Sequence, residues 1–319
     1  MRISRTSVVM TTVLAMAVSS LVLGAAPAQA TYTGSNGSLV FAADVGSGYQ
    51  LYTLSANGRH LRQITHLVAG DAINPDWSPD GRRIAFELDR SDDGGCAIET
   101  VDPDGSHVRT LTPGAVSSIC EANPAYAPDG RHIVFEQFNA TIGLDAVWSM
   151  DTQGEHRRQV TLDTNSGVTD PNVSPDGRTV SALRFGTQEL QQALFTWRLD
   201  GTHERQVTSF ATDVATKSDW SPDGRHLLFT DHADDTTVSA NLATIQPDGT
   251  HERHLTHYTD PAVRAYAGSY SPDGQWIVYR LEDHGQFALY RIHPDGTHRQ
   301  QLLPMSDFKP RFIDWGPAR

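Results

Sequence analysis

The sequence predicts an all-β fold, a six-bladed β-propeller whose C-terminal strand closes the first blade. Two ladders and one terminal match carry that expectation. In the first ladder, Pro75-Asp76-Trp77-Ser78-Pro79-Asp80-Gly81 returns around Tyr126, Val173, Trp220 and Tyr270, a period of 47–50 residues that suits one four-stranded blade. In the second, Gly58, Gly105, Gly154, Gly201, Gly249 and Gly296 stand 47–49 residues apart, each four residues after an apolar position. At the end of the chain, Phe312-Ile313-Asp314-Trp315-Gly316-Pro317 repeats the opening of the first ladder.

Residues 1–30 read as an export signal: Arg2 and Arg5, an apolar run from Val8 to Leu23, and Ala28-Gln29-Ala30 as a small-residue cleavage site. The run is too short for a membrane anchor. Residues 31–319 are expected to form one domain. Its first strand, Ser38-Leu39-Val40-Phe41-Ala42, matches strand b of the later periods but has no strand a before it. In each full period strand a ends at Ser-Pro-Asp-Gly, where Pro presets φ, Asp closes the turn through its own backbone and Gly supplies positive φ. Strand b then alternates, as in Arg83-Ile84-Ala85-Phe86. Strand c runs into the turn glycine, and strand d follows, as in His60-Leu61-Arg62-Gln63-Ile64-Thr65. Trp315 is then the sixth inner anchor, and the C-terminus supplies strand a to the blade begun at the N-terminus, leaving no open edge.

The Pro-x-Trp/Tyr-Ser-Pro-Asp-Gly units, with Pro-Asp-Gly-Ser/Thr-x-x-Arg-x-Leu-Thr between them, resemble the WD40-like (PD40) repeats of TolB-type six-bladed propellers. The resemblance spans nearly all of residues 31–319 and implies the fold and an exported setting, secreted or periplasmic. It brings over neither a Tol-system role nor catalysis. The N-terminal α/β domain of TolB and the α/β-hydrolase domain of the related prolyl oligopeptidases are not expected in this sequence.

Formal charge is −13, which argues against nucleic acid and anionic membranes as partners. Lys217 and Lys309 are the only lysines, a scarcity read as compositional rather than functional. No Gly-x-Ser-x-Gly elbow, His-Glu-x-x-His, Walker A or dinucleotide fingerprint occurs, so no catalytic residue is assigned. His60, His107, His156, His203, His251 and His298 recur once per blade, too far apart on outer strands to share a metal. His251, His254 and His257 alternate faces of an extended strand and are not expected to converge. Arg62, Arg109, Arg158, Arg205 and Arg253 share one repeat position and read as contacts between blades.

Topology puts the short Ser-Pro-Asp-Gly and Gly-x-His turns on one face and the variable loops on the other, where binding sites concentrate. On the variable face Asp231, His232, Asp234, Asp235, His257, Asp260, Glu282, Asp283 and His284 come from neighbouring blades. The commoner fate of such a cluster is a solvated acidic rim. The functional reading is a site for a cation or a basic peptide segment. The expected activity is therefore non-enzymatic binding of a protein or peptide by a monomer, without a resident cofactor. The alternative is a metal-assisted lyase or hydrolase on extracellular saccharides, using a divalent cation at this rim. Cys96 and Cys120, the only cysteines, fall at one blade junction on the variable face and are expected to form a disulfide.

Overall fold

A computed structural model describes residues 34–44, 46, 48–90, 95–112, 118–161, 167–186, 191–215, 217–232 and 237–319. Residues 1–30, read above as an export signal, lie outside them. The described residues form 24 β-strands, one 3-10 turn and no α-helix. They build six blades, each ordered a to d from the axis outwards. Blade one is Pro310–Pro317, Asn36–Asp44, Tyr49–Ser55 and Arg62–Gln63, so the C-terminal strand does close it. Blade two is Asp71–Trp77, Ile84–Arg90, Gly95–Val101 and Arg109–Thr110. Inner strands Ile119–Tyr126, Val168–Val173, Asp219–Trp220 and Val263–Tyr270 open blades three to six. Each inner strand packs on the next, and Val263–Tyr270 packs on Pro310–Pro317, completing the ring.

The repeat motifs have local physical causes. In the a–b turn the Ser78 hydroxyl donates to Asp80 Oδ1 at 2.7 Å and accepts from the Arg83 N–H at 2.9 Å. The same cage recurs at Ser174, Ser221 and Ser271. Strand d is only two residues long in five blades, so strand c would lose a partner beyond it. The repeated threonine supplies one: Thr65, Thr112, Thr161, Thr208 and Thr256 hydroxyls accept from the N–H groups of Leu51, Ile98, Val147, Leu194 and Leu242 at 2.8–3.0 Å.

The glycine ladder serves two needs. Gly105 sits at φ 86°, and a Cβ there would lie 2.5 Å from the Ile64 carbonyl oxygen of the preceding blade. The turn glycines thus let neighbouring blades touch backbone to backbone. The six turn histidines all lie in the left-handed region, at φ 52–59°, a conformation that His tolerates better than most residues. Their Nδ1 atoms bond locally, as in His156 to Asp151 Oδ2 at 2.7 Å and His298 with Thr297 at 2.7 Å. They are turn residues, as the repeat reading required. Four of the five ladder arginines reach the next blade: Arg62, Arg109, Arg158 and Arg253 donate to the carbonyls of Asp104, Gln153, Leu199 and Asp295. Arg205 instead lines an open cleft of about 1150 Å³ between blades four and five.

Cys96 and Cys120 are joined, with Cα atoms 4.6 Å apart. They pair in parallel where strand c of blade two meets strand a of blade three, linking two blades into one eight-stranded sheet. Cys120 lies inside strand a rather than in the loop before it.

Deleting residues 310–319 would remove the inner strand of blade one, the fully buried Trp315 and the Asp314 bond to the next blade. The expected result is loss of the cooperative thermal transition or a drop of more than about 10 °C, with aggregation through the bared edge. An unchanged melting curve would show that closure does not hold the ring.

Candidate functional site

The site is built on the inner strands, which surround the axis. Three residues before the anchor the backbone takes positive φ, between 47° and 81°, at Asn74, Asn123, Asp170 and Phe312, where strand a bulges, and at Lys217, which precedes its short strand. The chain there turns its polar side chains toward the channel. Asn74, Asn123, Asp170 and Lys217 meet around a cavity of about 20 Å³. The residues preceding the anchors stitch blade to blade. Asp314 Oδ2 accepts from the Trp77 N–H at 2.8 Å, Asp76 Oδ2 from Tyr126 at 2.8 Å, and Asp219 Oδ2 from Tyr270 at 2.7 Å.

These groups are strongly perturbed. Burial pushes the Asp219 carboxyl up to about 7, with Asp314 adding to the effect. Burial and Asp314 likewise raise Asp76 well above the carboxylate range. Lys217 keeps surface only toward the channel and is otherwise enclosed. Burial opposes its charge, but Asp314, Asp76, Asp170 and Asp219 prevail and hold it above the usual lysine range. Strand b supplies an outer tier: Glu87 accepts from Asn74 Nδ2 at 2.7 Å and from the Asn123 N–H at 3.3 Å, and Glu136 accepts from Asn123 Nδ2 at 2.6 Å.

On the variable face the channel opens into a pocket of about 200 Å³ between blades four, five, six and one. Lys217, Arg280, Lys309 and Arg311 line it with Tyr266 and Phe312, and Glu282 is the carboxylate among its walls. Both lysines of the chain are here. Arg280 is 5 % exposed, with its guanidinium 4.0 Å from the Tyr266 ring centre. Its Nε has no hydrogen-bond partner, and Glu282 Oε2 stands 3.9 Å from Nη2. Burial pulls its pKa down to about 10.

The residues singled out in the sequence separate into groups. Asp260, Asp283 and His284 come together: Nδ1 of His284 is 2.6 Å from Asp283 Oδ1, and Nε2 is 3.6 Å from Asp260 Oδ2. Asp283 and Asp260 together raise the His284 pKa. Glu282 faces the channel pocket instead. Asp231 is not on the rim. It is buried, accepts from the Asn241 N–H at 2.6 Å and lies 3.3 Å from His254 Nδ1. His232 sits at φ 47°, and its carbonyl accepts from Arg264 at 3.1 Å. His257 is exposed, with its ring 6.3 Å from that of His254. These two do approach, because strand d ends at His254 and the alternation of faces ends with it. Asp234 and Asp235 lie outside the described residues. Two groups among the described residues are spaced to hold a metal. In Glu87, Cys96 and Cys120 the sulfurs are spent in the disulfide. Asp151, Glu155 and His156 form a c–d turn on the opposite face.

A closed ring of six blades around a polar channel defines a β-propeller whose distinctive chemistry lies at the channel and its variable-loop mouth. The TolB β-propeller domain model matches residues 68–265 and 114–319, and the chain belongs to that family. Comparison with curated proteins gave no match. Among solved structures, TolB from Acinetobacter baumannii superposes with a TM-score of 0.71 at 18% identity, over 88% of this chain and 67% of that one. A chain of a nidogen/laminin complex gives 0.66 at 13% identity, over 88% and 98%. An oligogalacturonate lyase in complex with manganese gives 0.58 at 16% identity, over 85% and 75%. No helix among the described residues is long and apolar enough to cross a membrane.

The channel wall makes stability depend on pH. Glu87, ordinarily near 4.5, is raised to about 7 by burial, against the pull of its Asn74 and Asn123 bonds. A carboxyl with a raised folded pKa makes the folded state bind the extra proton. Its contribution is therefore fully present below about 4.5 and is lost as pH rises to about 7. Glu87→Gln should flatten that part of the profile and melt about 2 °C or more above wild type at pH 8, measured by calorimetry across pH 4–8. A parallel downward shift at every pH would mean the carboxylate is held ionised.

Proposed function

We propose that this chain is an exported propeller that binds a protein or peptide on its variable-loop face and carries no reaction of its own. One observation supports the reading: strand b of blade six, Ile277–Asp283, and the loop after it present charges of both signs at the variable-loop face. Arg280 and Glu282 face the channel mouth, while Asp283 and His284 stand on the rim with Asp260. The opposite face is closed by turns that bond within themselves. A propeller in a complex with another protein is among the folds this chain resembles. The rim would take a basic group of the ligand, with affinity falling as salt rises.

The manganese-bound lyase of similar fold keeps the enzymatic reading as a second one. Peptides selected against the folded protein by display would test both. Asp260→Asn with Asp283→Asn should weaken their binding about tenfold, whereas His107→Ala and His203→Ala on the turn face should leave it unchanged. Selection that survives the rim variants, or is lost through the turn variants, removes the site assignment. Stoichiometric metal in the purified protein with cleavage of polygalacturonate would favour the lyase.

A further inference from the structure

The strand-b position before the bulge is occupied in six ways around the ring: Glu87, Glu136, Leu183, Thr230, Arg280 and Ala42. Where it carries a charge in blades two and three, the fold supplies the complement, because Asn74 and Asn123 at the bulge donate to the two glutamates. In blade five the Thr230 hydroxyl accepts from the Ala267 N–H at 2.7 Å. Blade six breaks the rule. Its bulge residue is Ala267, which offers no side-chain acceptor to Arg280. The guanidinium is buried, packed on Tyr266, with Nε unbonded and Glu282 too far for a hydrogen bond. Tyr266 and the more distant Glu282 are the groups that favour its charge, and burial still outweighs them. A buried cation so weakly matched is destabilising unless something completes it.

The surroundings define the complement. Lys309 and Arg311 enter the same pocket from strand a of blade one, and Lys217 rises into it from the channel. Lys217 is already balanced by the channel aspartates. Arg311 Nη1 donates to the Tyr49 hydroxyl at 3.2 Å and Lys309 Nζ lies 4.7 Å from the Phe287 ring centre, and among the described residues neither forms an ion pair within 4 Å. Three cations thus line, with Glu282 as the one carboxylate among its walls, a hollow of about 200 Å³. That volume admits one small group rather than a length of polymer.

We propose that this pocket is an anion site that takes a carboxylate carried by a peptide, either a chain terminus or an acidic side chain, with Arg280 as its buried donor. Guanidinium and carboxylate match in charge and in planar hydrogen-bonding geometry, and a carboxylate in the pocket beside Arg280 would supply the charge partner that Glu282, 3.9 Å from Nη2, supplies only weakly. The inference rests on the peptide-binding reading above for the nature of the ligand, and adds a second point of attachment beside the acidic rim.

Titration calorimetry on the purified protein at low, constant ionic strength would use three probes: N-acetyl-glycyl-glycine with a free carboxylate, the same peptide as its amide, and trigalacturonate. The free acid should bind and the amide should not. Arg280→Met should weaken acid binding about tenfold or more. Lys309→Gln with Arg311→Gln, at more exposed positions, should weaken it severalfold and guards against misfolding of the first variant. Glu282→Gln, which removes the internal competitor, should tighten it. Asp260→Asn with Asp283→Asn should leave it unchanged, which separates this site from the rim. Equal binding of acid and amide, or no binding of either, would overturn the proposal. So would unaltered affinity in both cation variants. Binding of trigalacturonate alone would overturn the peptide source and pass the pocket to a uronate.

Discussion

A propeller must hold six blades in register around an axis, and among the described residues strand pairing joins neighbouring blades at one place, Cys96 with Cys120. Elsewhere a side chain reaches across. Asp314, Asp76 and Asp219 each accept the backbone N–H of the following blade's anchor residue, at 2.7–2.8 Å. The donor is a backbone group that the inner strand's bulge has removed from the ladder, so the carboxylate satisfies a group that would otherwise be buried unpaired. The next blade's anchor is thereby fixed at one height along the axis. The Ser-Pro-Asp-Gly turns, the contacts of turn glycines with preceding strands, and the arginines that reach neighbouring carbonyls all presuppose that register.

The same device fills the axis with charge. Three stitching aspartates and Asp170 surround a channel too narrow to hydrate them freely, which is why burial raises Asp76, Asp170 and Asp219. Lys217 is the counter-ion, and its backbone is held at φ 81°, a conformation uncommon for a side chain with a Cβ. The Asp170 carboxylate accepts from the N–H groups of Lys217 and Ser218, which fixes that turn and aims the ammonium group inward. Channel electrostatics and the blade-five backbone are therefore one arrangement.

Most of the scaffold could be read from the chain because its determinants are local. A Ser-Pro-Asp-Gly turn folds on itself, and a repeated Thr bonds to a strand fourteen residues away in its own blade. The closing strand and the disulfide followed from topology, which the period alone defines. The channel resisted reading because its residues converge from four blades and share no motif. The bulge could have been noticed in Asn74-Pro75, Asn123-Pro124 and Asp170-Pro171, but what it turns toward the axis depends on closure of the ring. The scarcity of lysine reads as a trace of composition and says nothing of place; both lysines border the channel pocket. The rim was half legible: adjacency along the strand brought Asp283 and His284 together with Asp260, whereas Asp231 turned inward to Asn241 and His254.

The contrast between blades three and six shows how a repeat becomes a site. At one position Glu136 is buried with Asn123 and Thr169 donating to it, and the charge is absorbed into the wall. At the equivalent position Arg280 is buried beside Ala267, which offers it no acceptor, and it rests on the Tyr266 ring with Glu282 3.9 Å away. Sheet propensity cannot explain the difference, since both residues sit at the same register of equivalent strands, three residues after Ile133 and Ile277. Core packing does not explain it either, because Thr230 and Leu183 show that smaller or apolar residues fit the position. An arginine that the scaffold neither needs nor completes, at the one opening where both lysines also stand, is a departure from the repeat that folding alone would have no reason to keep.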